Sequence, residues 1–189
     1  MNILIINNGT KHLGRLKDLL LNHKIQMINF LDKTPDLRNI DLVILTGNSI
    51  FPLFYNQDIY KEEISLINNS NKPIVGICFG CELIAYTFGA KIERVENKIK
   101  GIKRIEILNR DSVFKGVHEL EVYESHHWVI TTLSKDLIGL AKSKYGYEVI
   151  KHKEKQIYGF QFHPEMLVDK TAGDEIFNNL ISSINKAYE

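Results

Sequence analysis

The sequence predicts an α/β protein with an open, mostly parallel central sheet flanked by helices and with antiparallel strands added in its second half. Three observations carry this. Short apolar runs rich in β-branched residues alternate with helix-like patterns through the first half, the rhythm of strands joined by crossover helices. Beyond residue 91 the runs shorten and turns separate them, as in antiparallel strands. A last apolar run at 157–160 then leads into Gln161 and His163, ahead of a closing helical pattern.

Taken in order, residues 3–6 form the first strand and run into Asn7-Asn8-Gly9, and 13–21 follow as a helix. Residues 25–30 are a strand ending in a polar turn. Residues 42–45 are a strand ending in Thr46-Gly47-Asn48-Ser49, with a helix at 59–67. Residues 74–77 are a strand that meets Cys78, with a helix at 83–88. The second half offers strands at 91–95, 101–107, 120–123, 129–132, 137–141 and 149–152, then a central strand at 157–160. Ile176, Phe177, Leu180, Ile181 and Ile184 recur at helical spacing and mark an amphipathic helix over 176–184. In a sheet of this kind functional groups gather at the carboxyl ends of the strands, where Asn8-Gly9, residues 46–49 and Cys78 all fall.

With 189 residues, 44% of them hydrophobic, the chain can bury a full core as one domain over 1–189. Lysine and arginine total 24 against 23 aspartates and glutamates, and the basic residues are dispersed, which gives no electrostatic footprint for nucleic acid. The apolar start reads as a strand, without a basic segment ahead of it or a cleavage signal behind. The expectation is a cytoplasmic protein with no targeting or membrane segment.

The chemistry concentrates in two segments. Gly76-Ile77-Cys78-Phe79-Gly80-Cys81-Glu82 places Cys78 on a tight strand-to-helix turn, where the N–H groups opening the helix can lower a thiol pKa and receive an oxyanion. Phe162-His163-Pro164-Glu165 places a base beside a carboxylate that can fix its tautomer, with Pro164 holding the chain extended or turned. Cysteine, histidine and glutamate together point to acyl transfer through a thioester. Cys78 and Cys81 are the only cysteines and could be a redox pair, but that reading leaves His163 and Glu165 without a role. An oxyanion needs donors from two directions. The backbone of Phe79 supplies one, and Gly47 and Asn48 are the natural source of the other. Ser125-His126-His127-Trp128 reads as a substrate-side loop or partner contact. No metal site is expected, since adjacent histidines in extended chain point apart.

These residues resemble the class I (triad) glutamine amidotransferases, whose nucleophile motif is Gly-x-Cys-x-Gly-x-Gln and whose base motif is Phe-His-Pro-Glu. Within that family the chain looks most like the separate glutaminase subunits of two-subunit GMP synthases, through Asn7-Asn8-Gly9, the segment from Asp111 to Gly116 and Tyr123-Glu124-Ser125-His126. The resemblance implies that Cys78 attacks the side-chain amide of glutamine, that His163, oriented by Glu165, protonates the departing ammonia, and that Glu82, Ser125 and His126 hold the substrate. It implies no cofactor in this chain, with ATP and magnesium belonging to a synthetase partner that takes the ammonia.

Three departures stand beside it. Gly-His-Gln becomes Gly80-Cys81-Glu82, and Glu82 offers acceptors but no amide donors; ionised, it would favour a cationic group and raise the cost of a nearby thiolate. Gly-Gly-Pro becomes Gly47-Asn48-Ser49, and Ser-His-x-Asp ends in Trp128. The alternatives are a freestanding γ-glutamyl amide hydrolase with a changed pocket and a non-catalytic binding or regulatory subunit.

Overall fold

In the computed structural model, which describes residues 1–186, the apolar runs of the first half become parallel strands in register. They are β1 (Asn2–Asn7), β2 (Lys24–Asn29), β3 (Leu42–Leu45) and β4 (Ile74–Ile77). Helices α1 (Leu13–Leu19), α2 (Lys61–Asn69) and α3 (Phe79–Thr87) connect or follow them, and α4 (Gly173–Lys186) closes the described chain. The second half supplies β5 (Lys91–Arg104), β6 (Glu106–Ile107), β7 (Glu121–Thr132), β8 (Leu137–Lys142), β9 (Tyr147–His152) and β10 (Ile157–Phe160).

The main sheet runs β2-β1-β3-β4-β10-β9-β8-β6. It is parallel from β2 to β10, with Ile3 opposite Leu42, Val43 opposite Ile74 and Ile157 beside Ile74, and antiparallel from β10 outward. Alternation along each strand feeds two cores. Ile3, Ile5, Leu42, Ile44, Val75 and Phe160 pack with α1 and α4 on one face. Leu4, Ile6, Val43, Leu45, Ile74 and Ile157 pack with α2 and α3 on the other. The central strands are therefore buried on both sides, which is why they read as unbroken apolar runs.

Six expected elements took a different form. The runs at 91–95 and 101–107 are largely one strand, β5, interrupted by a register shift between Arg94 and Ile99. Its last residues separate as β6. The runs at 120–123 and 129–132 fuse into β7, because the polar stretch between them continues the strand with Glu124 and His126 turned inward. β5 and β7 pair only with each other, as a ribbon apart from the main sheet; of the expected additions, β6, β8 and β9 extend that sheet. Helix α3 starts at Phe79 rather than Leu83, since the reversal is completed at Cys78 alone. The helix expected over 59–67 divides into a 3₁₀ turn (Gln57–Tyr60) and α2. No helix among the described residues is long and apolar enough to cross a membrane.

Candidate active site

The carboxyl ends of β1, β3, β4 and β10 converge on one cavity of about 460 Å³. Cys78 sits between β4 and α3 with φ 52° and ψ −105°, a left-handed conformation that a side chain adopts only under local constraint. Its backbone N–H donates to the carbonyl of Phe160 at 2.7 Å, pinning the turn to β10. The flanking glycines have steric reasons. A Cβ on Gly76 would lie 2.4 Å from the backbone of Gly80, and one on Gly80 would lie 2.3 Å from the carbonyl oxygen of Leu45. Both absences let α3 press against β3 and β4, which raises Cys78 to the cavity floor. Phe79 is the first residue of α3, so its N–H has no partner within the helix.

His163 follows β10, and its Nδ1 stands 2.8 Å from Oε1 of Glu165. Both side chains are buried, and the backbone N–H of His163 donates to the carbonyl of Tyr123 at 2.8 Å. With Nδ1–H directed at the carboxylate, Nε2 is left for the thiol. Burial pushes the Cys78 thiol up, and His163 pulls it back by charge and hydrogen bonding. Burial disfavours the charged imidazole, yet Cys78 and then Glu165 overcome this and push His163 up to about 10. Each of the two groups thus contributes, by charge and hydrogen bond, to the shift of the other.

The loop after β3 closes the third side. Asn8 is fully buried; its N–H donates to Thr46 Oγ1 at 2.9 Å and its amide to Glu63 Oε2 at 3.1 Å, which ties the ends of β1 and β3 together. A Cβ on Gly47 would lie 3.3 Å from Cε1 of His163 and 3.7 Å from Cβ of Cys78, so the backbone there abuts both reactive residues. The Asn48 side chain is already engaged: its amide donates to the carbonyl of Phe51 at 2.7 Å and its Oδ1 accepts from the N–H of Phe51 at 3.0 Å. Only the backbone of Asn48 remains to meet a developing oxyanion.

Glu82, Ser125 and His126 all line the cavity. Ser125 and His126 lie on a strand rather than the expected loop, and Trp128 of the same strand stacks on Phe54 with centroids 4.4 Å apart and planes 23° from parallel. Glu82 is 4% exposed and accepts from the Gln161 amide at 3.1 Å. Burial pushes it up to about 8, against smaller lowering by the Gln161 hydrogen bond and His163. At neutral pH it therefore carries its proton and has an O–H to donate. A protonated Glu82 supplies a hydroxyl donor but no amide donor. Both cysteines are free, and Cys81 packs inward, its Sγ 2.6 Å from where a Gly159 Cβ would stand.

Sequence reasoning missed several cavity residues. His12 lies edge-on to His163, centroids 5.3 Å apart, with its pKa lowered by burial and then by His163. Arg94 and Lys98 face the cavity from the irregular stretch of β5. The spacing of His12 asked for no chemistry, and the signal that could have found it is the Asn8-Gly9 turn, which it follows at the active edge of the sheet. Nothing in the sequence signalled Arg94 or Lys98, because their placement depends on the ribbon.

A family model described as class-I glutamine amidotransferase matches residues 4–183. The chain is 33% identical over 183 residues to a glutamine-hydrolyzing GMP synthase subunit of Pyrococcus abyssi, covering 94% of this chain and 95% of the relative. It is 34% identical to the subunit of the same name from Methanococcus vannielii, covering 87% of each. Among solved structures, a Thermoplasma acidophilum protein provisionally named as a GMP synthase subunit superposes with TM-score 0.87 at 26% identity, covering 100% of this chain and 96% of that one. A Thermotoga maritima glutamine amidotransferase superposes with TM-score 0.82 at 17% identity, covering 97% of each chain, a likeness of fold.

Proposed function

The chain belongs to the class-I glutamine amidotransferase family, and from that premise we propose that it is the glutaminase subunit of a two-subunit GMP synthase. The observation that carries this is Cys78 raised on a left-handed turn and coupled to His163, whose Nδ1 is 2.8 Å from Glu165. The names of its relatives direct it to GMP synthase.

In this reading the Cys78 sulfur gives its proton to Nε2 of His163 and attacks the side-chain amide carbon of glutamine. The oxyanion meets the N–H of Phe79 from one side and the backbone at Gly47 and Asn48 from the other. His163 returns the proton to the leaving nitrogen, the C–N bond breaks, and ammonia departs from a γ-glutamyl thioester. Water, deprotonated by His163, then adds to the thioester, and glutamate and the free thiol result. Glu165 holds the imidazole tautomer throughout. Glu82, Ser125 and the backbone of His126 position the substrate. No cofactor takes part on this chain; ATP and magnesium belong to the synthetase that consumes the ammonia, and the setting is cytoplasmic.

A second reading, a freestanding γ-glutamyl amide hydrolase, draws on Glu82 where the family carries glutamine and on Arg94 and Lys98 at the cavity wall. Glutamate release from glutamine separates the two, measured for wild type and Cys78→Ala, alone and with a GMP synthetase subunit. Cys78-dependent release that rises with the synthetase supports the first. Release from larger γ-glutamyl amides that ignores the synthetase supports the second, and release unaffected by Cys78→Ala defeats both.

A further inference from the structure

Strands β7 and β9 bring three buried side chains together beside the cavity. Glu124 and His126 alternate inward along β7, and Glu148 belongs to β9. Their ligating atoms lie within 4.8 Å of one another. Glu124 is fully buried and its carboxylate oxygens receive no N–H or hydroxyl donor, facing only the carboxyl of Glu148 and the ring of His126, and Oε2 of Glu148 and Nε2 of His126 are buried without a donor or acceptor from elsewhere in the described chain. Among the described residues no lysine or arginine forms an ion pair with either carboxyl. Buried acceptors left this way are costly, and two carboxyl groups in contact are held by a shared proton or by a cation.

Nδ1 of His126 is 2.8 Å from the carbonyl oxygen of Trp128. A carbonyl only accepts, so Nδ1 carries a proton, and Nε2 faces Oε2 of Glu124 at 3.4 Å. That separation is too long for a close charge-assisted hydrogen bond and leaves room for an ion between the two atoms. A charge-assisted N–H···O bond is about 2.7–2.9 Å long, whereas two ligands at about 2.0–2.2 Å from a tetrahedral zinc stand about 3.3–3.5 Å apart. The Nδ1–H to carbonyl bond is also the usual second-shell anchor of a metal-bound imidazole. Ser143 Oγ, donating at 2.7 Å to Oε1 of Glu148, anchors that carboxylate in turn.

We propose that Glu124, His126 and Glu148 form a binding site for one divalent transition-metal ion of the Zn²⁺ class, which fastens the β5–β7 ribbon to β9 beside the cavity. Two carboxylates neutralise the ion, and an imidazole among the ligands favours zinc-like ions over magnesium or calcium. His126 also lines the cavity, which supplies a route of entry. The sequence reading expected no metal because it weighed His126 against His127. The pairing that matters is Glu124 with His126, two apart and on one face of a strand.

The test uses the full chain carrying Cys78→Ser, so that zinc held by the reactive thiol does not count. Chelator-treated protein is incubated with Zn²⁺, freed of excess and analysed for metal, alongside the same chain carrying Glu124→Gln or Glu148→Gln. One zinc per parent chain, lost in both glutamine variants, is the expected result. X-ray absorption of the zinc-loaded parent reads the ligands directly should a variant fail to fold, with imidazole nitrogen and oxygen expected and no sulfur. Zinc retained equally by the variants, a sulfur ligand, or a parent that retains no zinc overturns the proposal, the last by showing that shared protons balance the cluster.

Discussion

His163 and Glu165 are only two residues apart, yet their side chains meet at 2.8 Å in a buried setting. Pro164 between them prevents a helical course that would splay them, and the contact fixes which imidazole nitrogen faces Cys78. Glu165→Gln keeps the shape but removes the charge that favours the imidazolium. It is expected to lower kcat by about 10²-fold or more, within the usual range for disturbing a general base. His163→Asn should lose at least as much, and the rate of Cys78 alkylation against pH should shift in both variants.

Glu82 links the pocket to pH. The folded chain keeps its proton up to about pH 8, whereas an unfolded carboxyl releases it near 4.5. Between those values the folded state binds the extra proton, so stability falls as pH rises, by at most about 1.4 kcal/mol per unit. Glu82→Gln cannot titrate. Its stability relative to wild type should therefore grow through this window and level off above it, as urea denaturation at about pH 5, 7 and 9 would show. In turnover the two proteins should share a KM for glutamine near neutrality, with the wild-type value rising above pH 8. Parallel stability profiles would mean that Glu82 is ionised throughout.

Gly76 and Gly89 make a contrast between space and conformation. A Cβ on Gly76 would meet backbone of Gly80 at 2.4 Å, and backbone cannot step aside without moving α3. Gly76→Ala should cost about 3 kcal/mol or more and abolish Cys78 alkylation at the native rate. Gly89, at φ 77°, faces open space, and Gly89→Ala should cost only about 1–2 kcal/mol of left-handed strain. Thermal denaturation of the two variants tests the order.

Cys81 is a packing residue. It is fully buried against Gly159, and burial, followed by the charges of Glu82 and Glu148, pushes its thiol well above the ordinary value. Native protein should take up one equivalent of iodoacetamide, at Cys78. Cys81→Ser should cost about 1–3 kcal/mol by burying a hydroxyl while leaving most of the turnover, which peptide mapping and a glutaminase assay would check.

Much of this was legible in the sequence, for identifiable reasons. The strands Leu42–Leu45, Ile74–Ile77 and Ile157–Phe160 fell where their apolar runs predicted, since double-sided burial leaves no polar residue to blur the ends. Cys78 and His163 could be placed because each follows one of those strands. The ribbon was not legible: Glu124 and His126 are inward positions filled by charged or polar residues, so a continuous strand looked like two with a loop between. The cavity contributions of Arg94 and Lys98 followed from that same fusion. The environment of Glu82 was hidden as well, because burial raises its pKa against the lowering hydrogen bond from Gln161, which lies 79 residues away in sequence.

The most direct test of the central claim is to treat the folded protein with an electrophilic glutamine analogue and map the modified residue by mass spectrometry. Stoichiometric modification of Cys78, absent from Cys81 and slowed by free glutamine, is the predicted result. Modification at Cys81 instead, or no modification of folded protein under conditions that label a known glutaminase, would contradict the assignment of Cys78 as the nucleophile.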